Sequence, residues 1–294
     1  MELKDIAVLV PGRLNAHALE RIRAEFDCIE IASGDPSLVT PEIAGKVRGI
    51  AAMTVISADL MQALPKLEIV ANFGVGYDAV DAGHAGANGI MVTNTPDVLT
   101  DEVADTTIGL LLNTVRELSA SEAYMRAGHW TGKGNYRLTP LTMRGRTVGI
   151  YGMGRIGQAI ARRLEPFGVG IHYHNRRRAD GLAYTFHPTL VELARAVDTL
   201  IIVVPGGEAT RKAVNGNVLA ALGPQGVLIN IGRGSTVDED ALIAAMHSGT
   251  IAAAGLDVFE NEPHIRPEFF ELPNTVLLPH VGSASVHTRK AMGN

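Results

Sequence analysis

At roughly 100–200 residues per domain, a chain of 294 residues predicts two domains. Apolar residues make up 46% and charged residues 19%, with a net charge of −5, the composition of an ordinary soluble globular protein. No basic face stands out, which argues against nucleic acid and anionic membranes as partners. The longest apolar runs, such as Leu200–Val204, fall far short of the ~20 residues a membrane-spanning helix needs. The sole cysteine, Cys28, excludes an internal disulfide, and nothing near it has zinc-ligand spacing, so it reads as a small buried hydrophobe and no metal is expected. The start, MELKD, lacks the apolar stretch of a secretory signal, and a cytoplasmic location is expected.

In chain order, IAVLV (Ile6–Val10) predicts a buried strand and Ala16–Phe26 an amphipathic helix. GIAAM (Gly49–Met53), EIVANF (Glu68–Phe73) and GIMVTN (Gly89–Asn94) are further strands. This alternation of strand and helix implies a parallel sheet covered by helices. The pattern breaks at Thr95–Thr100. A long helix then follows, with Asp101 as its cap, an acidic first turn, and apolar residues over much of its circumference. Such a helix is expected to be buried, between domains or subunits. Gly128–Met143 is polar, aromatic and Gly-rich, and predicts a loop.

A second rhythm starts at TVGIYGMGRIG (Thr147–Gly157) and runs through GIHYHNRR, TLIIVV, GVLINIGRG and IAAAGLDVF. The fold class is therefore α/β, with two Rossmann-like domains whose parallel sheets are flanked by helices. The first spans 1–96 and, by return of the chain end, 281–294, as a flavodoxin-like unit. The second spans 97–280 and is the dinucleotide-binding one.

Gly152, Gly154 and Gly157 form a G-x-G-x-x-G pattern between a strand and a helix start, the context that gives this motif meaning. The three allow a tight turn, close approach of backbone to a pyrophosphate, and close helix–strand packing. Arg155 and Ile156 lie between them, where helix N–H groups favour an anion. At the end of the next strand, an acid would bind the ribose 2′-hydroxyl of NAD. Asn175, 18 residues beyond Gly157, stands there instead, followed by Arg176, Arg177 and Arg178. Arg176 and Arg177 can grip a 2′-phosphate, so NADP(H) is preferred and NAD(H) remains open.

Three further polar groups follow apolar runs: Arg233, Glu262 (five residues after Asp257) and His280. A reduction of a 2-keto acid needs a cation for the carboxylate, an acid for the developing alkoxide and a group to orient that acid. Arg233, His280 and Glu262 suit those roles in turn.

NFGVGYDAVD (Asn72–Asp81), VTNTPDVLTDEVAD (Val92–Asp105), GMGRIG, INIGRG, GLDVFENEP and PHVGSAS (Pro279–Ser285) occur together and span most of the chain. In them the sequence resembles the D-isomer-specific 2-hydroxyacid dehydrogenase family, especially its glyoxylate/hydroxypyruvate reductase branch. The resemblance implies that Arg233 binds substrate, that Glu262 and His280 form the catalytic carboxylate–imidazole pair, and that amides of Val75 and Gly76 hold the substrate carboxylate. It further implies Asp257 beside the nicotinamide carboxamide, Pro205, Ile231 and Gly232 along the cofactor, and Gly282 and Ser283 beside substrate and nicotinamide. The helix near 101–127 resembles the family's dimerisation helix, which implies a homodimer, with Trp130 at a position that in the reductase branch reaches the partner's site. The family's C-terminal helix carries on across the first domain, whereas this sequence stops at Asn294, shortly after a helix start near Ser283. Two other readings are an NAD(H)-sensing co-repressor-like interaction protein and an NAD-dependent phosphoglycerate-type dehydrogenase. The intact Arg233–Glu262–His280 set argues against the first and the Asn175–Arg178 run against the second.

Overall fold

The computed structural model describes residues 2–132 and 134–294; Met1 of the MELKD start and Lys133 of the expected loop lie outside the described residues. The chain divides into two compact units, Met1–Leu99 with Ala284–Asn294, and Thr100–Ser283. Both junctions lie three residues beyond the expected 96/97 and 280/281. Val281–Ser283 therefore belong to the second unit, for a visible reason. The amides of Val281 and Gly282 are bound by Asp257, and the Gly282 carbonyl accepts from Thr106 Oγ1 at 3.2 Å.

The first unit runs β1 (Ala7–Pro11), α1 (Ala16–Glu25), β2 (Asp27–Ile31), α2 (Pro41–Lys46), β3 (Val47–Ala52), α3 (Ala58–Gln62), β4 (Ile69–Asn72), α4 (Ala82–Ala87) and β5 (Met91–Thr93). All pairings are parallel, in the order β2-β1-β3-β4-β5. That is the flavodoxin-like order, in which ligands sit beyond the carboxyl ends of strands where the winding reverses. Its core is Leu9, Ile50, Ile56, Leu60, Leu64 and Val70, all essentially inaccessible. Asn15, Thr40, Ser57 and Asp81 cap α1 to α4 through their side chains.

In the second unit, α5 (Thr100–Arg116) and α6 (Leu118–Arg126) precede β6 (Thr147–Tyr151), α7 (Arg155–Leu164), β7 (Gly170–His174), β8 (Thr185–His187), α8 (Leu190–Ala196) and β9 (Thr199–Ile202). Then come α9 (Gly216–Leu222), β10 (Val227–Asn230), α10 (Glu239–His247), β11 (Ala253–Leu256), α11 (Glu268–Glu271) and β12 (Thr275–Leu277), and α12 (Val286–Met292) returns to the first unit. The seven strands are parallel in the order β12-β11-β10-β9-β6-β7-β8. This is the doubly wound dinucleotide-binding order with one added edge strand, and its winding reverses between β6 and β9.

The long helix departs from expectation in three ways. It begins at Thr100, so Asp101 lies inside the first turn, where it and Asp105 pair with Arg163 of α7. It is broken at Glu117, whose left-handed φ of 52° ends α5 before α6 begins. Its buried residues Val103, Ala104, Thr107, Leu110, Leu111, Thr114 and Val115 form a single stripe rather than a full circumference.

At the opposite end of the sheet from the strand carboxyl ends, buried Arg146 ties three strands together. Its Nε donates to Thr199 Oγ1 at 2.7 Å and pairs with Asp198 Oδ1 at 2.9 Å. Its Nη2 donates to the carbonyls of Asp198 and Gln225 at 2.7 Å each. Burial lowers the pKa of this guanidinium, and the Asp198 charge opposes that.

Candidate active site

Because every strand of the second unit runs the same way, their carboxyl ends lie along one edge. Read across it, that edge carries His280 after β12, Asp257 after β11, Ile231–Arg233 after β10, Pro205 after β9, Gly152–Gly157 after β6 and Asn175–Arg177 after β7. His280 and Asn175–Arg177 thus stand towards opposite ends of one row, whose strands are about 4.8 Å apart.

The Gly-rich turn fits a dinucleotide on steric grounds. Gly152 has φ 108°, and a Cβ there would stand 2.9 Å from the Val204 backbone nitrogen. A Cβ on Gly157 would lie 2.1 Å from the Gly152 carbonyl oxygen, so α7 can pack this close to β6 only with glycine there. Gly154 is different: nothing lies within 4 Å of where its Cβ would be. It is exposed, heads a helix of ten residues, and has no side-chain cap. Arg155 and Ile156 form the first helical turn, so the turn presents backbone N–H groups to open space, where an anion is favoured.

Asn175 has a part the sequence did not disclose. Its Oδ1 accepts from Met153 N at 2.7 Å, pinning the Gly-rich turn to the end of β7. Arg176 and Arg177 are exposed beside it, and no ion pair among the described residues engages them. A pair of unengaged guanidiniums where a ribose-binding acid would stand suits a 2′-phosphate.

At the other end of the row, His280 Nδ1 lies 2.6 Å from Glu262 Oε2. Glu262 Oε1 accepts from Phe259 N at 2.9 Å, so both carboxylate oxygens are engaged. Partial burial alone would push the Glu262 carboxyl up. The His280 hydrogen bond, the Phe259 amide and the charges of His280 and Arg233 outweigh it and hold the carboxyl below its ordinary range. An ionised Glu262 accepts a hydrogen bond from Nδ1–H and leaves Nε2 as the ring nitrogen available to a substrate.

Arg233 sits in a turn set by buried neighbours. Asn230, 1% exposed, accepts from Gly232 N through Oδ1 at 3.1 Å and donates from Nδ2 to the Arg233 carbonyl at 3.0 Å. Thr236 Oγ1 donates to the same carbonyl at 2.6 Å. Gly234 then presses against the loop that carries Glu262; a Cβ there would fall 1.8 Å from the Phe259 carbonyl carbon. Ile231 and Gly232 are buried, and a Cβ on Gly282 would meet Asp257 Oδ2 at 3.0 Å and Ile231 Cδ1 at 3.3 Å. The turns bearing Arg233, Glu262 and His280 are therefore packed against one another.

The substrate-loop candidates Val75 and Gly76 lie in the first unit, after β4. Asn72, buried at the end of β4, donates from Nδ2 to the Gly74 and Gly76 carbonyls at 3.2 and 3.0 Å. Asn94 Nδ2 donates to the Val75 carbonyl at 2.8 Å. With three successive carbonyls held by side-chain amides, the loop has a fixed shape, as an anion-binding nest requires. Asn72, Asn94, Asn230 and Thr236 were not singled out from sequence. Their only signal is an amide or hydroxyl at a strand end beside a Gly-rich turn.

Ser283 is partly buried, Pro205 is exposed, and Trp130 is 62% exposed. Among the described residues, no group of three or more His, Cys, Asp or Glu side chains is placed to hold a metal, and no helix is long and apolar enough to cross a membrane.

Comparison with known proteins agrees with this geometry. The family model described as "D-isomer specific 2-hydroxyacid dehydrogenase, NAD binding domain" matches residues 108–282. The crystal structure of an NADPH-dependent glyoxylate/hydroxypyruvate reductase from Sinorhizobium meliloti, in complex with NADP and malonate, superimposes with a TM-score of 0.96 at 59% identity, over 98% of this chain and 90% of that one. Glyoxylate/hydroxypyruvate reductase A of Arabidopsis thaliana is 43% identical over 99% of this chain and 94% of its own. Hydroxyphenylpyruvate reductase of Plectranthus scutellarioides is 48% identical over 81% of this chain and 75% of its own.

Proposed function

We propose that this chain, which belongs to the D-isomer-specific 2-hydroxyacid dehydrogenase family, reduces a small 2-keto acid such as glyoxylate or hydroxypyruvate to the D-2-hydroxy acid with NADPH. The observation that carries the reading is the 2.6 Å His280–Glu262 contact on the same sheet edge as Arg233 and the uncapped Gly-rich turn. NADPH, when bound, supplies a hydride to the keto carbon.

The residues of the chain do the rest. Gly152, Gly154 and Gly157, with Arg155 and Ile156, hold the pyrophosphate, and Arg176 and Arg177 beside Asn175 hold the 2′-phosphate. Pro205, Ile231, Gly232, Asp257 and Gly282 line the cofactor. The Arg233 guanidinium binds the substrate carboxylate and polarises the carbonyl. The backbone N–H groups of Val75 and Gly76, in the first unit, form a nest suited to a carboxylate. His280 delivers the proton from Nε2 to the carbonyl oxygen as the hydride arrives, while ionised Glu262 keeps the ring in the orientation and tautomer that make this possible. Ser283 bounds the space for the substrate side chain, and Trp130 does so in the site of the partner subunit. The exposed apolar side chains Leu118, Met125, Trp130 and Leu138, clustered in sequence at and after α6, suit a homodimer contact. A cytoplasmic location is in keeping with NADPH as reductant.

The test is a spectrophotometric panel of NADPH and NADH against glyoxylate, hydroxypyruvate, pyruvate and phenylpyruvate. The expected result is fastest oxidation of NADPH with glyoxylate or hydroxypyruvate. NADH outperforming NADPH would overturn the cofactor assignment, and inertness towards every acid would overturn the reaction. Phenylpyruvate outpacing glyoxylate would redirect the substrate towards the aromatic class that the Plectranthus relative is named for.

A further inference from the structure

His280 is one of four non-glycine residues with positive φ among the described residues, at 53°. A side chain with a Cβ pays a steric penalty in this left-handed region, and it persists only where neighbours over-determine it. The neighbour here is Asp257, 1% exposed at the end of β11. Its backbone carbonyl accepts from His280 N at 2.8 Å. Its carboxylate then takes the next two amides in order, Val281 N on Oδ1 at 2.7 Å and Gly282 N on Oδ2 at 2.9 Å. Three successive N–H groups of the histidine turn thus end on one residue. Asp257 N in turn donates to the Asn230 carbonyl at 3.0 Å, and Asn230 shapes the Arg233 turn.

We propose that Asp257 is a positioning residue for the proton donor: its buried carboxylate clamps the Val281 and Gly282 amides and so holds His280 in the left-handed conformation that brings its ring onto Glu262. A contact along the cofactor uses at most the lone pairs these amides leave. The clamp explains why an acid is retained where burial opposes its charge, since burial pushes this carboxyl up and only the two amides, with His280, pull it back. Asparagine cannot replace it, because one of its two terminal atoms is a donor and would face an N–H donor. Gly282 fits the same account, because a Cβ there would press on the clamping oxygen at 3.0 Å.

The inference rests on the proposed reduction, and the experiment separates the two. Wild-type protein, D257N and G282A are compared for kcat, for KM of keto acid and NADPH, for NADPH binding by fluorescence titration, and for the isotope effect with NADPH deuterated at the transferred hydrogen. A displacement of the donor by about 1 Å costs roughly 100-fold in turnover, so D257N is expected to lose about that much in kcat. Its kcat falls by a larger factor than its NADPH binding weakens, and the isotope effect rises, because the chemical step has slowed. G282A is expected to move the same way by a smaller factor. A wild-type kcat in D257N overturns the clamp, as does a loss confined to NADPH binding, which assigns Asp257 to the cofactor alone. If D257N does not fold, G282A decides, and a wild-type kcat there overturns the proposal. Inert wild-type protein overturns the underlying reaction instead.

Discussion

The Gly-rich turn after β6 and the histidine turn after β12 stand on the same sheet edge and solve opposite problems. The first offers backbone N–H groups to an anion, so side chains must be absent: Gly152 and Gly157 have no room for a Cβ, and Gly154 heads its helix uncapped. The second offers an imidazole, so the backbone must be forced into a conformation that side chains disfavour and held there by a buried carboxylate. On the proposed function, binding rests on missing atoms and chemistry on constrained ones. Substitutions at the two turns should therefore fail in different observables.

The largest effect is expected at the imidazole. H280A should lower kcat by roughly 10²–10⁴ while NADPH still binds, measured by turnover and by fluorescence titration. Wild-type turnover would remove the contrast, since the second turn would then carry no chemistry. The double variant R176A/R177A should lower kcat/KM for NADPH by about 10–100-fold, about 1.4–2.7 kcal/mol for the two exposed contacts together, and leave the NADH value nearly unchanged. Equal losses with both cofactors would show that these arginines do not read the 2′-phosphate.

The three glycines sharpen the contrast. G154A should leave the melting temperature at wild type, because its Cβ meets only open space, yet weaken NADPH by roughly tenfold, about 1.4 kcal/mol. G157A should instead destabilise the fold by about 1–3 kcal/mol, through the clash with the Gly152 carbonyl. Equal melting temperatures for the two variants would reduce the motif to an ordinary packing turn.

The smallest effect is a pH dependence. The Glu262 carboxyl is held below its ordinary range in the folded chain. Its contribution to stability is therefore complete above the ordinary carboxylate pKa and is lost as pH falls through the lowered one. E262Q should be less stable than wild type at neutral pH by at most about 1 kcal/mol, for a pair this exposed, and the difference should vanish on acidification. Melting curves from neutral pH into the acid range check the sign.

The same contrast decides what could be read from the sequence. Apolar runs bounded by turns gave away β1, β3, β4, β6, β9 and β10, because a strand buried on both faces must be apolar throughout. Of the edge strands β5 was read within GIMVTN, but the other three escaped: DCIEI of β2 is polar at alternate positions, and β8 and β12 are three residues each. The glycine motif was legible because missing side chains leave a mark in the sequence. The clamps were not. Whether Asn72, Asn230 or Asp257 spends its polar atoms on a ligand or on a neighbouring turn depends on tertiary placement, and no local pattern encodes that. The break at Glu117 was hidden for a similar reason, since its side chain is tied to Arg137 and Tyr136 far along the chain.

Arg146 fastens the amino-terminal side of the seven-stranded sheet by bridging strands there, while every residue proposed to handle hydride or phosphate projects from the carboxyl side. The Arg146 bridge and the proposed chemistry thus occupy opposite edges of one sheet. Loops on the reactive face can be exchanged, lengthened or recharged without loosening the bolt, which leaves the scaffold free to acquire new acceptor acids by altering only one rim.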